Sequence, residues 1–190
     1  MTQRMSVEDE TKTGPASFSE ALKKGQNGEW VVFVLLRTLF YYVEKSGKAE
    51  EEGKTPKLYH IEKEIVLPDL FLIERESYVE VKTSSSAEVC DFTGEDRHCI
   101  KQRLWDDYME MEKLGYPVYI ALYVEGENKV LFERITNLEK VDSLEGPKAE
   151  RAYDEDVYFI RESDFSKKFD VEYRDEQVWL AADAETERPI

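Results

Sequence analysis

The sequence predicts an α/β protein, a mixed central sheet flanked by helices, and three stretches carry that prediction. From Phe18 to about Glu44 apolar residues return every three to four positions, as on one face of a helix. From Leu67 to Lys82 two apolar halves flank Glu74, Arg75, Glu76 and Ser77, the pattern of a β-hairpin. Tyr116 to Val124 is an almost unbroken apolar run between Gly115 and Gly126, as expected of a strand buried on both faces at the centre of a sheet. Helix, strand, hairpin, helix and strand in that order pack as a sheet with helices on its faces.

At 190 residues and 22.3 kDa the chain suits one domain. Residues 1–16 are polar and aperiodic and read as a mobile arm, residues 17–181 as the domain with its core at about 18–135, and residues 182–190 as a fraying tail. In the first helix Phe18, Leu22, Trp30, Val31, Val34, Leu35, Thr38, Leu39 and Tyr42 mark the apolar stripe. Gly25, Asn27 and Gly28 interrupt it, either starting the helix proper or letting its backbone approach another element. Glu44 to Lys57, rich in charge and glycine, reads as an exposed connection, and Leu58 to Val66 alternates as one strand. His60 reads as a strand histidine more than as a general base.

Centring the hairpin turn between Glu74 and Arg75 pairs residues whose numbers sum to 149, which sets Asp69 opposite Glu80. Lys82 then shares the face of Glu80, while Val79 and Val81 point into a core. After it, Thr83 to Asp96 reads as a loop, where the Thr83 and Ser84 hydroxyls could meet phosphate. Asp96 is a candidate N-cap for a second helix from Arg97 to Leu114, which ends at Gly115. That helix would carry Arg97, Lys101, Gln102 and Arg103 near the site, a basic cluster suited to phosphate. Beyond the central strand, Lys129 to Ile135, Val157 to Arg161 and Val178 to Ala181 read as strands, and Ser163 to Lys168 as a short helical turn. No internal repeat and no glycine-rich phosphate loop occurs.

Two carboxylates and an ammonium thus converge on one face. Hard cations such as Mg²⁺ take oxygen ligands from one or two carboxylates, and a lysine beside them can orient water or neutralise phosphate. Pro68-Asp69 followed by Glu80-Val81-Lys82 resembles the signature of the PD-(D/E)XK, or restriction-endonuclease-like, nuclease superfamily. The resemblance implies a restriction-endonuclease-like core with an acidic C-terminal extension, and Mg²⁺- or Mn²⁺-dependent hydrolysis of nucleic-acid phosphodiesters, DNA before RNA. It implies Asp69, Glu80 and the Val81 carbonyl as metal ligands, with Lys82 completing the catalytic set. Glu29, which follows Gly28 in the first helix, is similar to the acidic residue that many members aim at the metal; otherwise it is a favourable charge in a first helical turn. Gln102 or Lys101 resembles the polar helix residue of the family, although the glutamine–tyrosine spacing of its RecB-like subgroup is not met, since Asp106 stands four after Gln102.

Composition opposes part of this. A net charge of −16 argues against indiscriminate nucleic-acid binding, which depends on neutralising phosphates. Half of the excess lies in Val141–Ile190, with 15 acidic and 7 basic residues. An alternative is therefore a non-catalytic protein of nuclease fold that docks a basic partner through its acidic surface. Cleavage of two strands takes two centres, so a homodimer fits the enzyme reading. The absence of an apolar run near the roughly 20 residues of a membrane span, and of a signal-like start, gives the expectation of a cytoplasmic protein away from membranes. Cys90 and Cys99 read as free thiols, and with His98 they are too few and too irregular for structural zinc.

Overall fold

The computed structural model describes residues 18–39, 42–46, 57–60, 63–85, 88–89, 96–142, 157–174 and 177–180. The arm at 1–16, the tail at 182–190, most of the charged connection before Lys57, and Cys90 lie outside these residues. Helix α1 spans Phe18–Leu39 and α2 spans Gln102–Lys113. The strands are β1 (Val43–Lys45), β2 (Lys57–His60), β3 (Lys63–Val66), β4 (Leu70–Leu72), β5 (Ser77–Ser84), β6 (Glu88–Val89), β7 (Asp96–Lys101), β8 (Val118–Val124), β9 (Lys129–Arg134), β10 (Lys140–Asp142), β11 (Val157–Arg161), β12 (Lys167–Arg174) and β13 (Gln177–Leu180).

The main sheet runs β1-β4-β5-β8-β9-β12-β13. It is mixed: β5 and β8 are parallel, and the other neighbours are antiparallel. β8 is the middle strand, as its apolar run predicts, with six of its seven residues buried. Val79 and Val81 on one face of β5 pack with Val31, Val32 and Leu35 of α1. On the other face Ile120 and Leu122 of β8 pack with Trp105, Tyr108 and Met111 of α2. This is the mixed α/β sheet flanked by helices that the sequence predicts, with helix, hairpin, helix and parallel strand following in the expected order.

Several local expectations change. α1 ends at Leu39, and Val43–Lys45 pairs with β4 as an edge strand. Leu39 and Val43 are four apart and both buried, so a strand residue falls on the helical stripe by spacing alone. Trp30 and Tyr42, assigned to that stripe, are exposed. Leu58 to Val66 is two strands, a separate β2–β3 hairpin in which Leu58 faces Ile65. The reversal changes the parity, so residues that one strand would place on opposite sides both pack inward. Asp96 caps no helix: Asp96–Lys101 is β7, and α2 begins only at Gln102. His98 and Ile100 are buried while Arg97, Cys99 and Lys101 are partly exposed, a period of two that Ile100 and Leu104, four apart, hide within a helical pattern.

β7 is a strand because it has partners, β11 from more than fifty residues later and β6 before it, in a second sheet ordered β10-β11-β7-β6. The helical turn expected at Ser163–Lys168 is a 3-10 turn at Glu162–Asp164, and Lys167 already begins β12, which pairs with β9. The described part of the acidic C-terminal stretch is thus built into both sheets.

Candidate active site

The β4–β5 hairpin places the first carboxylate. Leu70 pairs with Val79, Phe71 with Tyr78 and Leu72 with Ser77, the register whose numbers sum to 149. A 3-10 turn at Ile73–Arg75 closes it, with Glu76 at φ 46°. Pro68 is buried, and Asp69 sits at the entry to β4, where its backbone carbonyl accepts from Ser46 N of the β1 edge at 2.9 Å. Its Oδ2 accepts from Val81 N at 2.7 Å, so the side chain reaches across the hairpin towards Glu80.

Glu80 is only 4% exposed. A buried carboxylate needs partners, and it has two: Lys82 Nζ donates to Oε1, and the Tyr108 hydroxyl of α2 donates to Oε2. Burial, then the nearby charge of Glu80 and more weakly that of Glu29, push the Asp69 pKa well above the carboxylate range, against the pull of Lys82 and the Val81 N–H. Burial works against the Lys82 charge, but Glu80 and Asp69 more than offset it, so its pKa lies above the usual lysine value. Burial and the neighbouring carboxylates raise Tyr108 well above the usual phenol, so it remains a donor.

α2 is held so that Tyr108 reaches this point. Arg134 of β9 donates from Nε and Nη2 to Glu112 at 3.0 and 2.6 Å, and Asp107 accepts from Val66 N of β3 at 3.2 Å. On the other side α1 lies close against β5. A Cβ on Gly28 would overlap the Thr83 hydroxyl and stand 2.9 Å from Thr83 Cβ, so the glycine permits the approach.

These groups line a cavity of about 630 Å³ at the C-terminal end of the parallel β5–β8 pair, the usual position for a ligand in sheets of this kind. Asp69, Glu80, Lys82, Thr83, Ser84, Arg97, Lys101 and Arg103 all face it, so most of the sequence-predicted site residues meet there. Gln102, Glu29 and Val81 do not line it. Glu29 comes from α1, on the opposite face of the sheet, and its Oε2 is 3.4 Å from Lys45 Nζ. Among the described residues no three His, Cys, Asp or Glu side chains form one metal-binding cluster. A cation here would rest on Asp69 and Glu80 with the Val81 carbonyl, and the donor chemistry fits: two facing carboxylates, hard oxygen donors, held together against their mutual repulsion.

Sequence reasoning missed Tyr108 and Lys24. Tyr108 sits at an apolar helix position, where its ring reads as core and its hydroxyl gives no periodic signal. Lys24 of α1 lines the cavity, donates to Ser85 and lies 4.0 Å from Glu125. With it the lining carries five lysine and arginine side chains against two carboxylates, a local positive excess in a chain of net charge −16. His98, also at the wall, is buried and lies 3.4 Å from Glu162, which also accepts from Lys129.

No protein-family model matches the sequence, and no curated protein matches it. Among solved structures the chain is similar to Hjc, a Holliday junction resolvase from the archaeon Archaeoglobus fulgidus, with TM-score 0.45 and 16% identity over 75% of this chain and 87% of that one. It is also similar to a nuclease from a fusselovirus, with TM-score 0.38 and 16% identity over 74% of this chain and 85% of that one. Both of these structures are of nucleases, and at 16% identity the chemistry of this chain is argued from its own side chains.

Proposed function

We propose that the chain is a divalent-metal-dependent nuclease that hydrolyses phosphodiester bonds of DNA. The observation that carries this is one cavity in which a buried carboxylate, Glu80, a half-buried one, Asp69, and a charged lysine stand inside a rim of further cations. Asp69, Glu80 and the Val81 carbonyl would hold Mg²⁺ or Mn²⁺, and Glu29, outside the cavity lining, would act on the site only through its charge on Asp69. When bound, such an ion polarises a phosphoryl oxygen and lowers the pKa of coordinated water.

The protein's own groups supply the rest. Lys82, protonated at neutral pH, orients the attacking water and stabilises charge on the pentacovalent phosphate rather than taking a proton. Tyr108 and Lys82 each hold one oxygen of Glu80, which fixes its carboxylate plane. Arg97, Lys101 and Arg103 position neighbouring phosphates, with the Thr83 and Ser84 hydroxyls beside them. A low-dielectric cavity rimmed by cations focuses attraction for phosphate even in an acidic chain, so net charge does not count against the reading.

Labelled DNA and RNA, single-stranded, duplex and junction, incubated with Mg²⁺, Mn²⁺ or EDTA test it. Cleavage should need added metal and fall by orders of magnitude in Asp69→Asn, Glu80→Gln and Lys82→Ala. A folded wild-type protein that cuts none of these substrates in either metal returns the chain to the non-catalytic, basic-partner reading.

A further inference from the structure

The β2–β3 hairpin belongs to neither larger sheet, and its two faces differ. Leu58 and Ile65, opposite one another, pack into the α2 side of the core. Lys57 and Val66, and then Tyr59 and Glu64, share the other face. Val66 on this face is 8% exposed and forms part of the cavity wall. Tyr59, diagonally across the same face on the partner strand and about 7–8 Å away, is 74% exposed, the most open large apolar side chain among the described residues. The wall of the candidate active site therefore continues outward to a bare aromatic ring.

A single exposed tyrosine is ordinary surface, but this one has charged company. Lys57 pairs across the hairpin with Val66, and Val66 and Arg103 both line the cavity, so the hairpin face and Arg103 border the same opening. Glu64 on the same face holds Lys57 in an ion pair. The cation left for a phosphate is Arg103, which is exposed and makes no ion pair with a described residue. An aromatic ring outside a cationic mouth is the recurring arrangement for single strands, because every base has a π-face and the backbone follows the positive groove. Bases inside a duplex already stack on each other and offer no face to such a ring.

We propose that the outer face of the β2–β3 hairpin is a docking platform for an unpaired strand of DNA, with one base stacked on Tyr59 and the adjoining phosphate on Arg103. It deepens the nuclease reading and rests on it for where the strand leads, namely to Asp69 and Glu80. Binding itself needs neither metal nor cleavage, and the test uses that separation.

The full chain is titrated in EDTA with a short single-stranded DNA carrying 2-aminopurine and with the same sequence as a duplex. Loss of one base–aromatic stack weakens binding by about 5- to 150-fold. Tyr59→Ala should thus weaken single-strand binding by about tenfold or more and abolish the quenching of 2-aminopurine seen with wild type. Tyr59→Phe should keep both, and duplex affinity should be the same in all three proteins. The platform is overturned if wild type does not bind the single strand, if Tyr59→Ala binds it as wild type does, if Tyr59→Phe is as weak as the alanine variant, or if the duplex is weakened equally. A Tyr59-dependent single-strand complex from a protein that cuts nothing in Mg²⁺ or Mn²⁺ would uphold the platform and reject the nuclease.

Discussion

Replacing Tyr108 by phenylalanine removes one oxygen atom from the interior and leaves one oxygen of Glu80 without its donor. Tyr108 is 1% exposed and Glu80 4%, so water does not replace the lost bond. A hydrogen bond to a charged group is worth about 1.5–3 kcal/mol, and a middle value of about 2 kcal/mol corresponds to a fall in melting temperature of about 4–8 °C for a chain of this length. The same exchange in a Glu80→Gln background tests the cause. Gln still accepts from the hydroxyl but carries no charge, and charge-assisted bonds are about twice as strong as neutral ones. Tyr108→Phe should therefore cost about 1 kcal/mol there, a coupling of about 1 kcal/mol between the two sites. Urea unfolding of the four proteins at neutral pH in EDTA measures the cycle. Independent sites add within about 0.5 kcal/mol; a coupling below that would mean that Tyr108 is simply core, and that Glu80 is not positioned by α2.

Three further outcomes are expected. Gly28→Ala should destabilise by about 1–3 kcal/mol despite the better helix propensity of alanine, because its methyl meets Thr83, and a Thr83→Ala partner should restore part of the loss in thermal melts. Asp69 is held above the ordinary carboxylate pKa by burial and by Glu80, so its contribution is fully present below about pH 4 and lost as pH rises through its folded value. Asp69→Asn without metal should thus melt higher than wild type at pH 7 and lose that advantage in acid. With about 10 mM Mg²⁺ and an assumed millimolar affinity, wild type should gain about 1.4 kcal/mol and the variant little; equal gains would point to diffuse binding on the acidic surface. His98 is depressed by burial, against the opposing pull of Glu162, with Lys129 adding to the depression and Asp96 opposing it. Its contribution is present above about pH 6.5 and lost as pH falls through its folded value. His98→Asn should flatten the stability profile below about pH 6.5, and an unchanged slope in pH-dependent urea unfolding would count against this.

The sequence by itself determined what short range can determine. A turn at Glu74–Arg75 fixes the hairpin register, because in a tight hairpin the pairing of every residue follows from the turn, and so Asp69 was brought to Glu80 and Lys82 from sixteen consecutive letters. The central β8 was legible for a similar reason: a strand buried on both faces must be apolar throughout. Tertiary structure decided the rest. Arg97–Lys101 reads as the start of a helix until β11 arrives from the far side of the chain, since Ile100 serves a two-residue and a four-residue period equally well. The Tyr108 hydroxyl belongs to an apolar helix position until α2 is laid over Glu80. The positive balance of the cavity does not show in a net charge of −16: the basic cluster after Lys82 is legible in the sequence, but only the fold brings Lys24 of α1 to the cations of β5, β7 and α2. In each case the deciding contact joins residues far apart in the chain, and local pattern carries no information about which distant surface a residue will meet.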